Sequence, residues 1–297
     1  MNFEKFVKML TCKVQMYLGT EYEVVEHNVT KNNSVELTGL MAKKKGASAF
    51  PTFYVDDFYD PKMKDEDLEY LAMKLAKGLE NARMDESLCV EEFVEYEKAR
   101  RRIVFKLINA DRNKELLLDV PHRRIHNLAI VYMFVIDNEI MGTRGSILIR
   151  NSHMDSWKAS EEALYKDAYE NTRSMFPPKE MDIFDIIEEM GGPLPEHRDE
   201  NSCRMIVLSN EAKLYGAASI LYPEVLSQIS DKLDNSFYIL PSSVHEVIIV
   251  PQQDDINPAN LVSMVTEVNS TQVGESDILA DSLYYYDKEN KDLRWLC

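Results

Sequence analysis

The chain has 297 residues, 45% hydrophobic and 29% charged, with a formal net charge of -17 from 51 acids against 34 lysines and arginines. A chain of this length and composition can build a substantial core without staples, which excludes long disorder as the default. Its acidity disfavours nucleic acid and anionic membrane as partners but leaves room for a local basic face.

Phe3, Phe6, Val7, Leu10, Val14, Tyr17 and Leu18 recur at helical spacing, with Asn2 as cap and Gly19 as stop. A hairpin is expected next, Glu21–Thr30 with Ser34–Met41 around Lys31-Asn32-Asn33, placing Val35, Leu37 and Met41 on one face. A third strand runs through Thr52–Val55. A helix then carries Leu68, Leu71, Ala72, Leu75 and Leu79, with Asp65, Glu66 and Asp67 in the first turn, where the helix dipole favours negative charge. A short helix is expected after Ser87, through Phe93, Val94 and Tyr96. Strands are expected at Ile103–Ile108, Leu128–Ile136 and Ser146–Arg150. A helix from Ser160 carries Leu164, Ala168 and Met175 until Phe176-Pro177-Pro178 stops it. A shorter one uses Ile183, Phe184, Ile187 and Met190, and Gly191-Gly192 ends it.

Residues 191–201 combine Gly, Pro and charge with few apolar positions, which marks a linker. Beyond it come strands at Met205–Leu208 and Leu214–Ile220 and a helix from Pro223 that buries Val225, Leu226, Ile229 and Leu233. Strands Phe237–Leu240 and Glu246–Val250, a helix from Pro258 to about Val268, and a closing pair at Leu283–Tyr286 and Leu293–Leu296 complete the chain. The fold class is α+β, mostly antiparallel hairpins alternating with helices, in two sub-domains: 1–190 and 202–297 joined by 191–201. Cys12, Cys89, Cys203 and Cys297 are too far apart for a dithiol or zinc pattern and read as free thiols in a reducing compartment. With no signal-peptide core at the start and no run of about 18 apolar residues, the expected location is cytoplasmic, with no membrane partner.

Three segments carry candidate chemistry. Pro241-Ser242-Ser243-Val244-His245-Glu246 places a hydroxyl, an imidazole and a carboxylate close together, as a nucleophile, base and orienting acid would need. On a strand, however, Ser243 and His245 share one face and Glu246 points to the other, whereas a triad must converge. A turn in which a serine bonds nearby amides is the competing reading. His122 and His126 stand at i and i+4, a metal-binding spacing only on a helix, with Asp119 and His153 as remote third ligands and Arg123 and Arg124 opposing a cation. Residues 98–126 hold nine cations, among them Arg100, Arg101, Arg102, Arg123 and Arg124, against three acids. Such a patch could contact an anion, but pairing with the protein's own acids fits the net charge better, and 180–200 holds eight acids against one arginine. No cofactor-binding signature occurs.

Phe105-Lys106-Leu107-Ile108-Asn109, Asn171-Thr172, Val207-Leu208-Ser209-Asn210, Tyr215-Gly216-Ala217 and, most strongly, Phe237 through Val247, continued by Glu267-Val268-Asn269 and Tyr284 to Asp287, together resemble the bacterial domain-of-unknown-function family 5688. The resemblance departs at Ser209 and Ala280, where Thr and Ser are expected. It implies a bacterial, cytoplasmic protein and assigns no activity. The expected function is a non-catalytic binding or regulatory role with a protein partner or in a homo-oligomer; the alternative is a hydrolase using Ser242–Glu246.

Overall fold

The Asn2 side chain accepts the Lys5 amide and so caps the first helix, α1 (Phe3–Leu18), which Gly19 ends at φ 71°. The computed structural model describes residues 1–44, 52–81, 92–138, 143–189, 191 and 205–296. The expected helix onset at Ser87, most of 191–201, and Cys89, Cys203 and Cys297 lie outside them; Cys12 is free and exposed. Among the described residues no helix is long and apolar enough to cross a membrane.

The chain forms two compact units. Unit 1 is Met1–Lys98 with Ile136–Gly145. In it, β1 (Tyr22–Thr30), β2 (Glu36–Lys44) and β3 (Thr52–Tyr54) form an antiparallel meander, and α2 (Asp65–Asn81) follows. The turn at Asn32–Ser34 uses left-handed backbone at Asn33, φ 60°, a conformation asparagine tolerates better than most residues. The core joins Phe6, Leu10 and Val14 of α1 to Leu68, Ala72 and Leu75 of α2 over Leu40 and Ala42. Full burial of each large side chain stabilises by about 1.5–3 kcal/mol. The buried face of β2 is thus the Leu40–Ala42 face. Leu37 and Met41, opposite in phase, stay half-exposed, because the helices cover only one side of the sheet.

Unit 2 is Ala99–Val135 with Ser146–Cys297. β4 (Ile103–Asn109) and β5 (His122–Ile125) flank β6 (Leu128–Asn138), which also pairs with β7 (Thr143–Leu148). The helix Glu161–Met175 lies against β4, and its Thr172 hydroxyl accepts the Phe105 amide. A six-stranded sheet runs β13 (Asp292–Trp295), β12 (Tyr284–Asp287), β10 (Phe237–Leu240), β11 (Val247–Pro251), β9 (Ile206–Asn210), β8 (Pro178–Asp182). Leu261 and Val265 of the helix Pro258–Gln272 pack with Tyr238, Leu240 and Val250 of this sheet. The named pairings within both sheets are antiparallel, and the fold is α+β.

One expected strand is replaced. The strand expected at Leu214–Ile220 is instead a left-handed Tyr215, φ 57°, followed by a 3-10 turn, Gly216–Leu221. The Asn210 side chain clasps both the amide and the carbonyl of Leu214, which turns the chain out of extended form. β8 and β9, on either side of the expected linker 191–201, pair from Pro178↔Asn210 to Asp182↔Ile206, so both flanks share one sheet.

Candidate functional site

The segment from Pro241 to Glu246 lies between β10 and β11 and is irregular, as the turn reading expects. Residues 277–280 pin it. The Val244 amide reaches the Asp277 carbonyl at 2.8 Å, and the Leu279 and Ala280 amides reach the Ser242 and Pro241 carbonyls at 2.9 Å each. Ser243 is buried, and its Oγ accepts the His245 amide at 3.0 Å, a local turn bond.

The His245 ring sits between two partners. Nδ1 accepts the Tyr215 amide at 3.3 Å, and the two rings stack at 5.8 Å between centroids. A nitrogen that accepts an N–H carries no proton of its own, so the neutral ring holds its proton on Nε2. Nε2 faces Asp277 Oδ1 at 3.7 Å, an electrostatic contact rather than a hydrogen bond. The nearby imidazole is the main reason that the Asp277 carboxyl titrates below its ordinary range, with Lys106 adding to the effect. Lys106 Nζ lies 4.9 Å from the Tyr215 ring centroid, a cation–π distance. Behind the ring, the Ser209 hydroxyl donates to the His245 carbonyl at 2.7 Å, a bond a threonine could equally make. The half-buried Glu246 joins none of these contacts. The structure therefore brings His245 together with Tyr215 and Asp277, neither of them a sequence candidate, and with Lys106, one of the nine cations of 98–126, and leaves Glu246 apart. Asp277 lies 32 positions beyond His245, and only the fold places it there.

His122 and His126 are not on a helix. His122 opens β5 and its Nδ1 lies 3.0 Å from the Val120 carbonyl. His126 follows the strand at φ 54°, its ring near Tyr284 and Trp295. In extended chain, four residues span about 13 Å, far beyond a shared metal bond. Of the remote ligands, Asp119 is salt-bridged to Arg150, and the His153 Nδ1 accepts the Arg150 amide. Burial and the Arg150 charge hold the His153 imidazole below its ordinary pKa. Among the described residues no three His, Cys, Asp or Glu side chains gather as a metal site would require.

The arginines meet acids of their own chain. Arg100 holds Asp167 through two bonds of 2.7 and 3.0 Å. Arg123 forks onto Glu161, also pairs with Glu162, and lies 4.0 Å from the Tyr165 ring centroid. Tyr132 donates to the same Glu161, and burial raises its phenol pKa. Arg124 reaches Asp111 at 3.4 Å, and Arg112 reaches Asp281 at 2.6 Å. Arg101 is exposed, and Arg102 is partly buried. The partners just named come from 111, 161–167 and 281 rather than from the acidic stretch 180–200, which sequence proximity alone does not suggest.

Many residues behind the family resemblance do one kind of work here, tying side chain to backbone. The Asn109 amide group reaches the Leu279 carbonyl, Asn171 the Arg100 and Ile103 carbonyls, and Asn269 the Ala280 carbonyl. No curated protein and no solved structure matches the chain. The model of a family of unknown function, DUF5688, matches residues 3–288, and the chain belongs to that family.

Proposed function

We propose that the protein is a non-catalytic, cytoplasmic binding or regulatory protein whose ligand is another protein. The observation that carries this reading is the bonding at His245. A general base for a serine must aim a free ring nitrogen at the hydroxyl. Here Nδ1 is taken by the Tyr215 amide, Nε2 faces Asp277, and the Ser243 oxygen is bound to the His245 amide. These groups hold a junction together. The net charge of -17 and the absence of a membrane-crossing helix among the described residues accord with a cytoplasmic setting.

The alternative, hydrolysis at Ser242–Glu246, draws on one observation, the partly exposed Asp277–His245 pair, which has the form of the acid and imidazole of a triad. Two measurements separate the readings. Native mass spectrometry of the protein purified from its own host is expected to show a second protein or a homo-oligomer in fixed ratio. A fluorophosphonate probe is expected to leave Ser242 and Ser243 unlabelled; covalent labelling of either would overturn the binding-protein reading in favour of the hydrolase.

A further inference from the structure

We infer that the protein partner docks on the seam between α1 and α2 of unit 1, and that the docking element is a basic, amphipathic peptide segment. This inference rests on the binding-protein reading and gives it a place and a chemistry. The seam holds a shallow hollow of about 500 Å³ lined by Lys13 and Tyr17 of α1 and by Asp65, Glu66, Glu69, Tyr70 and Met73 of α2. Its apolar members stand in water, with Tyr70 65%, Tyr17 47% and Met73 46% exposed. Aromatic and methionine side chains are the types enriched where proteins meet.

The charges decide the occupant. Glu69 takes Lys13 through one oxygen and the Tyr17 hydroxyl through the other at 2.5 Å, so the seam's lysine is neutralised and the Tyr17 ring is held in place. Asp65 and Glu66 have no salt-bridge partner among the described residues and leave a net negative rim beside exposed rings. Lysine or arginine side chains complement both parts, through the carboxylates and through the ring faces. A second copy of this chain does not fit, since a two-fold contact would set Asp65 and Glu66 against themselves. So shallow a surface encloses too little of a small molecule, whereas a helix can lay one face along it.

The test uses the full chain and a synthetic 18-residue amphipathic helix with leucine on one face and lysine and arginine on the other, followed by fluorescence anisotropy. Binding is expected to weaken about tenfold in the Asp65→Asn/Glu66→Gln double variant and by a similar factor in Tyr70→Ala. It should also weaken as salt rises and stay unchanged in Asp254→Asn/Asp255→Asn, a pair of acids in the other unit. Equal weakening in the Asp254/Asp255 pair, or no weakening in the seam variants, would overturn the seam assignment as general attraction to an acidic protein; no binding at all would overturn it too. A host partner that co-purifies undiminished with the Tyr70→Ala variant would sink the seam while leaving the binding-protein reading intact. A fluorophosphonate adduct would sink that reading instead.

Discussion

In unit 2, Ser209, Tyr215, Ser243 and His245 bond to one another: Ser243 locally to the His245 amide, and Ser209 and Tyr215 from 36 and 30 positions away. In unit 1, the polar groups of the α1–α2 seam include one internally matched trio, Lys13, Tyr17 and Glu69, beside two carboxylates and a ring that face water. The residues that look reactive on paper lie in the first region, and the side chains positioned to meet another molecule lie in the second. A serine next to a histidine draws attention because catalysis uses the pair, yet the same two side chains also close turns. An exposed tyrosine on a helix carries no motif, and its meaning comes from its neighbours.

If this contrast is right, disturbing the His245 junction damages the fold, and disturbing the seam does not. The largest effect is expected for Gly216→Ala. A Cβ there would lie 2.5 Å from the His245 carbonyl oxygen and 2.8 Å from the Asn210 amide, and it would also press on the Ser209 hydroxyl. Two of these neighbours are backbone, so the strain has no flexible side chain to relieve it. A loss of roughly 3 kcal/mol is expected, measured by urea denaturation; a loss near zero would show that the junction is loose.

A smaller effect is expected from acid. The folded Asp277 carboxyl titrates below its ordinary value of 3.8, mainly because of His245. A depressed carboxylate contributes stability that is present above the unfolded pKa and fades as pH falls through the folded pKa. The contribution should therefore hold above about pH 4 and disappear below it. Denaturation midpoints followed downward in pH should fall less steeply in Asp277→Asn than in the parent chain. Parallel curves would remove Asp277 from the junction.

The smallest effect on stability is expected for Tyr17→Phe, which removes only a phenol oxygen from an exposed seam. A change within about 0.5 kcal/mol is expected by denaturation, together with a measurable loss of affinity for the basic helix as the ring loses its tether to Glu69. A large destabilisation would mean that the seam also supports the fold, and the contrast between the two regions would fail.

Much of the architecture was legible because it rests on periodicity. Phe6, Leu10 and Val14 occur at helical spacing, and Asn2 and Gly19 mark the ends of their helix. The strand at Ile103–Asn109 likewise follows its expected bounds closely. Leu214–Ile220 misled because its apolar alternation matched a strand, while the deciding force, the Asn210 clasp on Leu214, acts through one side chain that periodicity does not register. β8 was missed because Pro177-Pro178 reads as a stop, yet as an edge strand β8 can begin at a proline. The candidate site was legible in part. Ser243 and His245 stand out, but Asp277 and Tyr215 reach His245, and Lys106 reaches the Tyr215 ring, only through tertiary structure. Periodicity does not register the seam, because Asp65 and Glu66 read as first-turn acids favoured by the helix dipole and Tyr70 lies outside the apolar stripe.

The pairing of β8 with β9 has a consequence for chain closure. Asp182 and Ile206 lie side by side in the sheet, so the intervening residues close a loop whose ends are fixed by strand bonds rather than by the loop itself. Closure entropy rises only with the logarithm of loop length, about 0.6 kcal/mol for each doubling. The Asp182–Ile206 pairing spans 24 positions of sequence, and the cost of closing it therefore depends only weakly on the number of residues between the two strands.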